Sequence, residues 1–210
     1  MATILRDWSY RYPWFYDTVS RLASVAVGGE TRLRQLAWQD LDLLATSPVL
    51  DLCCAHGPVT KLLCQRFENV TGLDASPQAI ARAQLAVPQA QFVESFAQKM
   101  PFADHQFGLV QTSLALHEMT AATLGEILTE VYRVLQPGGI FALVDFHPPK
   151  LPLLWPGLGL FFYLFETDTA WRFMGEDLSQ QLRGLGFEIQ KYQTYTGGSL
   201  QVIQAQKPTA

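Results

Sequence analysis

The sequence predicts an α/β fold with a doubly wound, mostly parallel sheet of seven strands. Short apolar runs alternate with helical segments between residues 48 and 146, and this alternation is typical of a parallel sheet with helices on both faces. Two further β segments follow residue 186 and are separated by Gly197 and Gly198, which indicates an antiparallel hairpin that closes the sheet. Helical segments are expected before the sheet begins.

Each predicted element has a local signal in the sequence. Ser76 followed by Pro77 is the expected start of a helix, since serine caps the helix and proline fits its first position. Thr120 is the corresponding cap of a later, long helix. In chain order, we expect helices at 14–27 and 30–45, a strand at 48–53, a helix at 58–67, a strand at 69–74, a helix at 76–87, strands at 90–95 and 107–116, a helix at 120–136, a strand at 137–146, a helix at 175–186 and the final hairpin.

The composition fits one folded domain. Of the 210 residues, 49% are hydrophobic and 16% are charged, which is enough for a large core and unlike a disordered chain. The formal net charge of −4 gives no support for nucleic-acid binding. We expect a single domain, 1–210, with an N-terminal helical region (1–47), a ligand-binding core (48–146), a substrate-side insert (147–174) and a closing helix and hairpin (175–210).

Cysteine usage and apolar stretches bear on the compartment. The chain has three cysteines, an odd number, and two of them are adjacent. We therefore expect no disulfide framework, and we expect the protein to reside in a reducing compartment. The N-terminus lacks the long apolar segment of a secretory signal. The aromatic stretch 151–165 is interrupted by two Pro and two Gly and is too short to span a membrane. We expect a cytoplasmic protein, with peripheral membrane contact through 151–165, or burial of that segment, as the open alternatives.

Polar residues follow the ends of the predicted parallel strands, where ligands bind in sheets of this kind. Asp51 and the loop after it follow the first strand, and Asp74 ends the second. Asp74 lies about twenty residues after the first loop, the spacing at which a carboxylate accepts hydrogen bonds from ribose hydroxyls. Each acid also has a simpler alternative role. Asp51 can cap the helix that follows it, and Asp74 can act as a favourable negative charge at a helix N-terminus.

Five motifs together carry a resemblance to a known family. "VLDLCCAHG", "VTGLDASPQAIARA", "FVESFAQKMPFADHQFGLV", "LALHEM" and "VYRVLQPGGIFALVDF" resemble the successive motifs of class I S-adenosylmethionine-dependent methyltransferases, over residues 48–146. A weaker resemblance, at Tyr16–Asp17, Gly29, Arg34 and Thr196–Gly198, is to the ubiquinone/menaquinone biosynthesis C-methyltransferases. The resemblance implies a Rossmann-like fold and methyl transfer from S-adenosyl-L-methionine to a small lipophilic or aromatic acceptor, such as a quinol.

The first loop departs from the family pattern, which is approximately Asp-Leu-Gly-Cys-Gly-x-Gly. Here Cys53 and Ala55 replace two glycines, and either residue is small enough for a close ligand approach if its φ stays negative, while Gly57 is expected at the tightest turn. Phe96 stands where the family has an acid facing the adenine amine; its ring can pack on adenine but cannot accept that hydrogen bond. The resemblance implies cofactor contacts at Tyr16, Asp51, Cys53, Ala55, Gly57, Asp74, Ala75, Ser76, Phe96, Ala97, Ser113 and Leu114.

Two histidines are candidates for acid–base chemistry. His117 and His147 follow the fourth and fifth parallel strands, and a general base helps when the methyl acceptor carries a hydroxyl proton. The alternative is a histidine that caps a helix or packs in the core. We expect no metal site, because Cys53, Cys54 and His56 lack the spacing of metal ligands and Cys54 is expected in the core.

Two other classes of function stay open at this point. One is a non-catalytic protein that binds S-adenosylmethionine or a partner, which the altered loop and Phe96 motivate. The other is a nicotinamide-dependent oxidoreductase, which the missing GxGxxG and the closing hairpin disfavour. We expect a small-molecule methyl acceptor as partner, no nucleic acid, and a monomer or a homodimer.

Overall fold

The computed structural model describes residues 24–157, 159, 163 and 168–209. Within them, one mixed sheet carries the fold, in the order β3-β2-β1-β4-β5-β7-β6. The strands are β1 (Val49–Leu52), β2 (Val70–Asp74), β3 (Gln91–Glu94), β4 (Phe107–Ser113), β5 (Leu135–Phe146), β6 (Glu188–Tyr195) and β7 (Leu200–Gln206). Strands β1 to β5 run parallel, and β7 pairs antiparallel with both β5 and β6. The prediction of seven strands with a closing hairpin is confirmed.

Helices connect the parallel strands. Ser76 Oγ accepts a hydrogen bond from Ala79 N at 3.2 Å, and Thr120 Oγ1 accepts one from Thr123 N at 3.2 Å, so both predicted caps are present. The helices are α1 (Glu30–Gln35), α2 (Pro58–Leu63), α3 (Pro77–Ala86), α4 (Ala121–Val134), α5 (Asp168–Phe173) and α6 (Leu178–Gly184), with 3-10 turns at Val25–Val27, Leu116–Glu118, Pro152–Leu154 and Thr196–Gly198.

The helix predicted at 30–45 is wrong over its second half. Helix α1 ends at Gln35, and the chain continues in turns. Asp40 explains this, because its carboxylate accepts hydrogen bonds from Gln204 Nε2 at 2.8 Å and from Lys191 Nζ at 2.6 Å. These long-range contacts with β7 and β6 override the local helical preference. Of the helix predicted at 14–27, residues 14–23 lie outside the described residues, and Val25–Val27 is a 3-10 turn.

The sheet is buried on both faces. Leu50 and Val110 pack with α4 and α6 on one face, while Val49 and Leu109 pack with α1 and α2 on the other. This alternation follows from the period of two along a strand. Because β1 is paired with β2 on one side and β4 on the other, the connections after β1 and β4 leave in opposite directions. They open a crevice at the carboxyl edge of the sheet, which is where ligands bind in such folds.

Candidate functional site

The loop between β1 and α2 has the left-handed backbone that glycine favours at three positions, although only one of the three residues is a glycine. Cys53 has φ +59°, Ala55 has φ +49° and Gly57 has φ +87°. The condition of a negative φ at Cys53 and Ala55 is therefore not met. Hydrogen bonds from Cys54 N to Leu73 O at 3.0 Å and from Gly57 N to Cys54 O at 2.9 Å hold the loop in this path. The cost is about 1–2 kcal/mol for each residue forced into the left-handed region.

Replacing Gly57 by a residue with a Cβ is expected to cost more stability than replacing its neighbours in the loop. A Cβ at this position would lie 3.3 Å from Val87 Cγ2 and 3.4 Å from Ala83 Cβ, so α3 approaches the loop closely here. Its left-handed backbone and this close approach both favour glycine. The retained glycine is thus at the tightest point of the loop, as the sequence predicts.

Asp74 ties this loop to the end of β2. Its Oδ2 accepts a hydrogen bond from Ala55 N at 2.9 Å, and its Oδ1 accepts one from Ser76 N at 2.9 Å. Each carboxylate oxygen has two acceptor positions, so both oxygens keep capacity for a further donor. The side chain is half-buried at the edge of the sheet. Asp74 can therefore hold the loop and accept the hydroxyl groups of a ribose at the same time.

Asp51 is a buried acid behind the loop. Its Oδ2 accepts a hydrogen bond from Thr60 Oγ1 at 2.6 Å, and its Oδ1 accepts one from Gln111 Nε2. Burial raises the pKa of Asp51 to about 6, although the hydrogen bonds from Thr60 and Gln111 oppose the increase. The sequence analysis did not find Thr60 or Gln111, because neither belongs to a motif. The contact with Thr60 places Asp51 against the first turn of α2.

Four carboxylates act electrostatically on the thiol of Cys53. Burial, and after it the negative charges of Asp74, Asp51, Glu118 and Asp145, together raise the pKa of Cys53 to about 12. Two consequences follow from this cluster. The crevice is electronegative and therefore suited to a cationic ligand. The Cys53 sulfur stays a thiol at neutral pH, and a thiol is a poor nucleophile compared with a thiolate.

The end of β3 presents an exposed aromatic ring beside Asp74. Phe96 is 64% exposed, whereas Ala97 is buried. Ser95 N donates a hydrogen bond to Asp74 O at 3.0 Å, so the segment that carries Phe96 is anchored to the ribose-side strand. An exposed phenyl ring in this position is suited to stack on a flat heterocycle.

The remaining predicted cofactor contacts lie along the same edge. Leu114 has φ +53° and donates its N–H to Val144 O at 2.9 Å, and it follows Ser113 at the end of β4. Ala75 and Ser76 are exposed at the start of α3. Tyr16 lies outside the described residues. The structure thus brings the predicted residues after β1, β2, β3 and β4 to one edge.

His117 is buried and paired with an acid. It lies in the 3-10 turn after β4, it is 3% exposed, and its Nδ1 is 2.6 Å from Asp145 Oδ1. Asp145 is fully buried and also accepts a hydrogen bond from Leu116 N at 2.9 Å. The sequence analysis gave Asp145 no role, although the residue lies in the motif "VYRVLQPGGIFALVDF". Its one visible signal is an acid at the end of the apolar run "FALVDF".

His147 has a different setting. Its Nδ1 is 2.8 Å from both Pro148 O and Gly198 O, and because carbonyl oxygens only accept, Nδ1 carries a hydrogen. Its backbone N–H also donates to Ser199 O at 3.0 Å. His147 therefore joins the end of β5 to the turn between β6 and β7.

The insert carries most of the exposed apolar surface near this edge. Among the described residues of the stretch 151–165, Leu153 is 89% exposed and Tyr163 is 73% exposed. Leu151, Leu154 and Trp155 are exposed to a lesser degree. Phe161, Phe162 and Phe165 lie outside the described residues. None of the helices in the described part of the chain is long and apolar enough to cross a membrane.

Metal binding finds no support in the described ranges. Within residues 24–157, 159, 163 and 168–209, no three His, Cys, Asp or Glu side chains come together as a metal-binding group. Cys54 is buried in the core, as expected, and burial raises its pKa.

Comparison with known proteins identifies the family. Residues 49–139 match the Methyltransf_25 family, described as a methyltransferase domain. An uncharacterized methyltransferase of Synechocystis sp. is 53% identical over 205 residues, which cover 98% of this chain and 97% of the relative. The 2-phytyl-1,4-naphtoquinone methyltransferase of Thermosynechococcus vestitus is 30% identical over 197 residues, covering 83% and 87%.

A solved structure supports the same fold. The crystal structure of a SAM-dependent methyltransferase from Methanosarcina mazei matches with a TM-score of 0.63 and 23% identity, over 80% of this chain and 95% of that one. The doubly wound sheet with its closing hairpin is therefore the Rossmann-like methyltransferase fold. Together with the relatives, this shows that the chain belongs to the class I S-adenosylmethionine-dependent methyltransferases.

Proposed function

We propose that this protein transfers a methyl group from S-adenosylmethionine to a lipophilic, quinol-like acceptor. The observation that carries the proposal is the group of four carboxylates that act on Cys53 at the carboxyl edge of the sheet. Asp51, Asp74, Glu118 and Asp145 all act electrostatically on this point. A cationic sulfonium cofactor complements that charge, whereas an anionic dinucleotide does not.

The chain's residues fit the parts of this cofactor. Asp74 has acceptor capacity for the ribose hydroxyls, and the exposed Phe96 ring offers a stacking surface for adenine. The small side chains of Cys53 and Ala55 let a ligand approach the loop backbone closely. When bound, S-adenosylmethionine supplies a methyl group that is activated by the positive charge on its sulfur.

The protein's own task is then to hold the acceptor in line with the methyl group and to exclude water. The raised pKa of Cys53 contributes to selectivity, because a thiolate in this position would compete with the acceptor for the methyl group. The turn Leu116–Glu118 follows β4 and is joined to the end of β5 by the hydrogen bond from Leu116 N to Asp145 Oδ2. The acceptor is proposed to bind beside this turn.

Two observations favour a lipophilic acceptor. The insert after β5 exposes Leu151, Leu153, Trp155 and Trp171, and a patch of this kind is typical of contact with an apolar ligand, a membrane or a partner. The relative from Thermosynechococcus vestitus is named for a phytyl-substituted naphtoquinone, and its similarity extends over 83% of this chain. We infer an aromatic ring with a long apolar substituent.

The same insert is proposed to touch the membrane in which such an acceptor dissolves. Trp171 lies 3.8 Å from the position of a Cβ on Gly159, so the Trp171 ring is close to the middle of the insert. Lys150 and Arg172 are exposed next to these apolar residues and suit anionic headgroups. Flotation with vesicles containing anionic lipid tests this. Leu153→Ser with Trp155→Ser is expected to lower the bound fraction several-fold, and Leu85→Ser, an exposed leucine on α3, is the matched control. Equal flotation of all three proteins would contradict membrane contact.

Turnover tests the activity itself. The purified protein is incubated with S-adenosylmethionine and reduced naphthoquinones that lack the ring methyl and differ in side-chain length. S-adenosylhomocysteine and the methylated product are then measured by mass spectrometry. We expect product to form, with a higher kcat/KM for longer apolar side chains. Tight binding of S-adenosylhomocysteine without product from any acceptor would favour a non-catalytic cofactor-binding protein instead.

A further inference from the structure

We propose that the hairpin turn, residues 196–199 between β6 and β7, holds the substrate-side insert in the position from which it selects the methyl acceptor. His147 is the positioning residue of this contact, and Gly197 and Gly198 leave the space that it needs. The inference rests on the proposed function and makes it more specific, because it assigns the choice between acceptors to the placement of the insert.

Backbone hydrogen bonds join the start of the insert to the hairpin turn. Gly197 O accepts the N–H of Lys150 at 2.9 Å and the N–H of Leu151 at 3.3 Å. Ser199 O accepts the N–H of His147 at 3.0 Å. Since the donors lie at both ends of this short stretch, the chain leaves β5 along a path that the hairpin turn fixes.

His147 adds a side-chain hydrogen bond to the same turn. Its Nδ1–H is shared between Gly198 O and Pro148 O, each at 2.8 Å, so the ring bridges the hairpin turn and the insert. The ring also meets the ring of Tyr192 edge to face, with centroids 6.3 Å apart. Strand β6 therefore helps to fix the imidazole that holds the insert.

The close approach depends on two glycines in the left-handed region. Gly197 has φ +64° and Gly198 has φ +101°, values that a residue with a Cβ disfavours. A Cβ on Gly198 would lie 2.6 Å from Lys150 N, a backbone atom that cannot rotate away. A Cβ on Gly197 would meet the side chains of Leu151, at 3.0 Å, and Leu154. Alanine at position 198 must therefore push the insert and the turn apart, whereas at position 197 it meets side chains that can move.

The contact sets the position of an apolar surface beside the proposed acceptor site. Leu153 and Trp155 follow directly after the bonded stretch and are exposed. That stretch begins at the end of β5, where the ring of Phe146 has its centroid 4.5 Å from that of His117 in the turn Leu116–Glu118. The insert therefore starts next to the turn beside which the acceptor is proposed to bind. An apolar surface held there suits the long substituent of a lipophilic acceptor.

The hairpin turn is remote from the groups proposed to bind the cofactor. In the sheet order β3-β2-β1-β4-β5-β7-β6, strands β4, β5 and β7 separate β1 from β6. Neighbouring strands are about 4.8 Å apart, so the hairpin turn lies on the order of 15–20 Å from the loop after β1. A change at the hairpin turn is therefore expected to alter the use of the acceptor and to leave cofactor affinity intact.

Amide hydrogen exchange tests the contact without cofactor or acceptor. We expect the amides of Lys150 and Leu151 to be protected in the wild type, because both donate to Gly197 O. Gly198→Ala is expected to speed their exchange by about tenfold or more, since their opening becomes easier, and Gly197→Ala is expected to do so less. Gly184→Ala is the matched control, because a Cβ on this exposed helix glycine meets nothing within 4 Å. Unprotected amides in the wild type, or unchanged exchange in Gly198→Ala, would overturn the proposal.

Kinetics test whether the contact serves the acceptor, using reduced naphthoquinones with a long or a short apolar side chain. For Gly198→Ala and His147→Leu, we expect the KM for the long-chain acceptor to rise about tenfold, as expected when about two methylene groups lose their burial. The rise should be smaller for the short-chain acceptor, which reaches less of the insert. We expect kcat and S-adenosylhomocysteine affinity to stay within about threefold of wild type, and Gly184→Ala to match the wild type throughout.

His147→Asn separates the positioning role from acid–base chemistry. Asparagine can donate from its amide nitrogen in place of Nδ1, but its side chain does not take up a proton in the way imidazole does. We therefore expect His147→Asn to keep the KM of the wild type, whereas His147→Leu does not. A fall in kcat of about 100-fold or more in both variants would show that the imidazole acts as a base, and would overturn the positioning role.

Failure of the proposed function and failure of this inference are distinguishable. If the wild type binds S-adenosylhomocysteine but methylates no acceptor, the proposed function fails, while hydrogen exchange still decides whether the hairpin turn holds the insert. If an acceptor is methylated with the same KM by the wild type and Gly198→Ala, the function stands and the inference fails. If thermal melting shows that Gly198→Ala does not fold, His147→Leu takes its place in both experiments.

Discussion

The two halves of the carboxyl edge of the sheet differ in the groups that they present, which are mainly backbone groups in one half and side chains in the other. The half that we propose binds the cofactor, called the cofactor half, follows β1, β2 and β3 and consists mainly of backbone groups in the loop 53–57, held by Asp74. The half that we propose binds the acceptor, called the acceptor half, follows β4 and β5 and includes the buried side chains of His117 and Asp145. A site made of backbone requires small residues in a contiguous stretch, whereas a site made of side chains needs only a suitable pair that the fold brings together.

The largest effect on cofactor binding is expected at Asp74. Asp74→Ala removes the anchor of Ala55 N and the acceptor for ribose hydroxyls, so the cofactor half loses its charged hydrogen bonds. Hydrogen bonds to charged groups contribute about 1.5–3 kcal/mol each. We therefore expect S-adenosylhomocysteine to bind about 100-fold more weakly, measured by isothermal titration calorimetry, with the protein still folded by circular dichroism.

Glu94→Gln is the matched control for this experiment. Glu94 is the register partner of Asp74 on β3 and is exposed at the same edge. Its removal should change the affinity less than twofold. Wild-type affinity in Asp74→Ala, or an equal loss in both variants, would remove Asp74 from the cofactor site.

The contrast between the halves also explains what could be predicted from sequence. The parallel strands and the hairpin were predictable, because apolar periodicity and glycine turns are local signals. The cofactor half was predictable in outline for the same reason. The φ values of Cys53 and Ala55 were not, since the hydrogen bonds to Leu73 and Asp74 that impose them come from another strand.

The acceptor half was predictable only in part. His117 was a candidate because it follows a strand, but its partner Asp145 is 28 residues away, and nothing in the sequence indicates that the two side chains meet. The prediction of where helix α1 ends was wrong for a related reason. Asp40 interacts with Lys191 and Gln204, which lie more than 150 residues later in the chain. Pairings of this kind arise from the fold and leave no spacing in the sequence.

Asp51 allows a test of how charge contributes to the cofactor half. With its pKa raised to about 6, Asp51 is mostly neutral at pH 5 and ionised at pH 7.5. A cationic ligand favours the ionised form, so affinity for S-adenosylmethionine should rise about tenfold between these pH values. The stability of the ligand-free protein should change in the opposite direction. The contribution from neutral Asp51 is complete below pH 3.8 and is lost as the pH rises through 6.

Asp51→Asn is expected to remove most of this pH dependence, with calorimetry measuring affinity and urea titration measuring the free energy of unfolding. Glu94→Gln should retain it, since that acid is exposed. A pH dependence that persists unchanged in Asp51→Asn would assign the effect to another group, and would leave the cofactor half dependent on backbone geometry alone.

The smallest expected effect tests whether the loop backbone is strained. Ala55 has φ +49°, which costs about 1–2 kcal/mol for a residue with a Cβ. Glycine removes this cost but loses about 0.4–1 kcal/mol through the greater freedom of the unfolded chain. Ala55→Gly should therefore raise the free energy of unfolding by up to about 1.6 kcal/mol.

Ala75→Gly is the matched control for this last change. Ala75 is exposed at the same edge, and its φ is not positive. Glycine there relieves no strain, so only the unfolded-state term of about 0.4–1 kcal/mol is left, and it destabilises the protein. Opposite signs for the two substitutions in urea unfolding would show that the cofactor half stores strain in its backbone. Equal losses would mean that alanine is accommodated at position 55 without strain, and that the loop's shape is set by its hydrogen bonds alone.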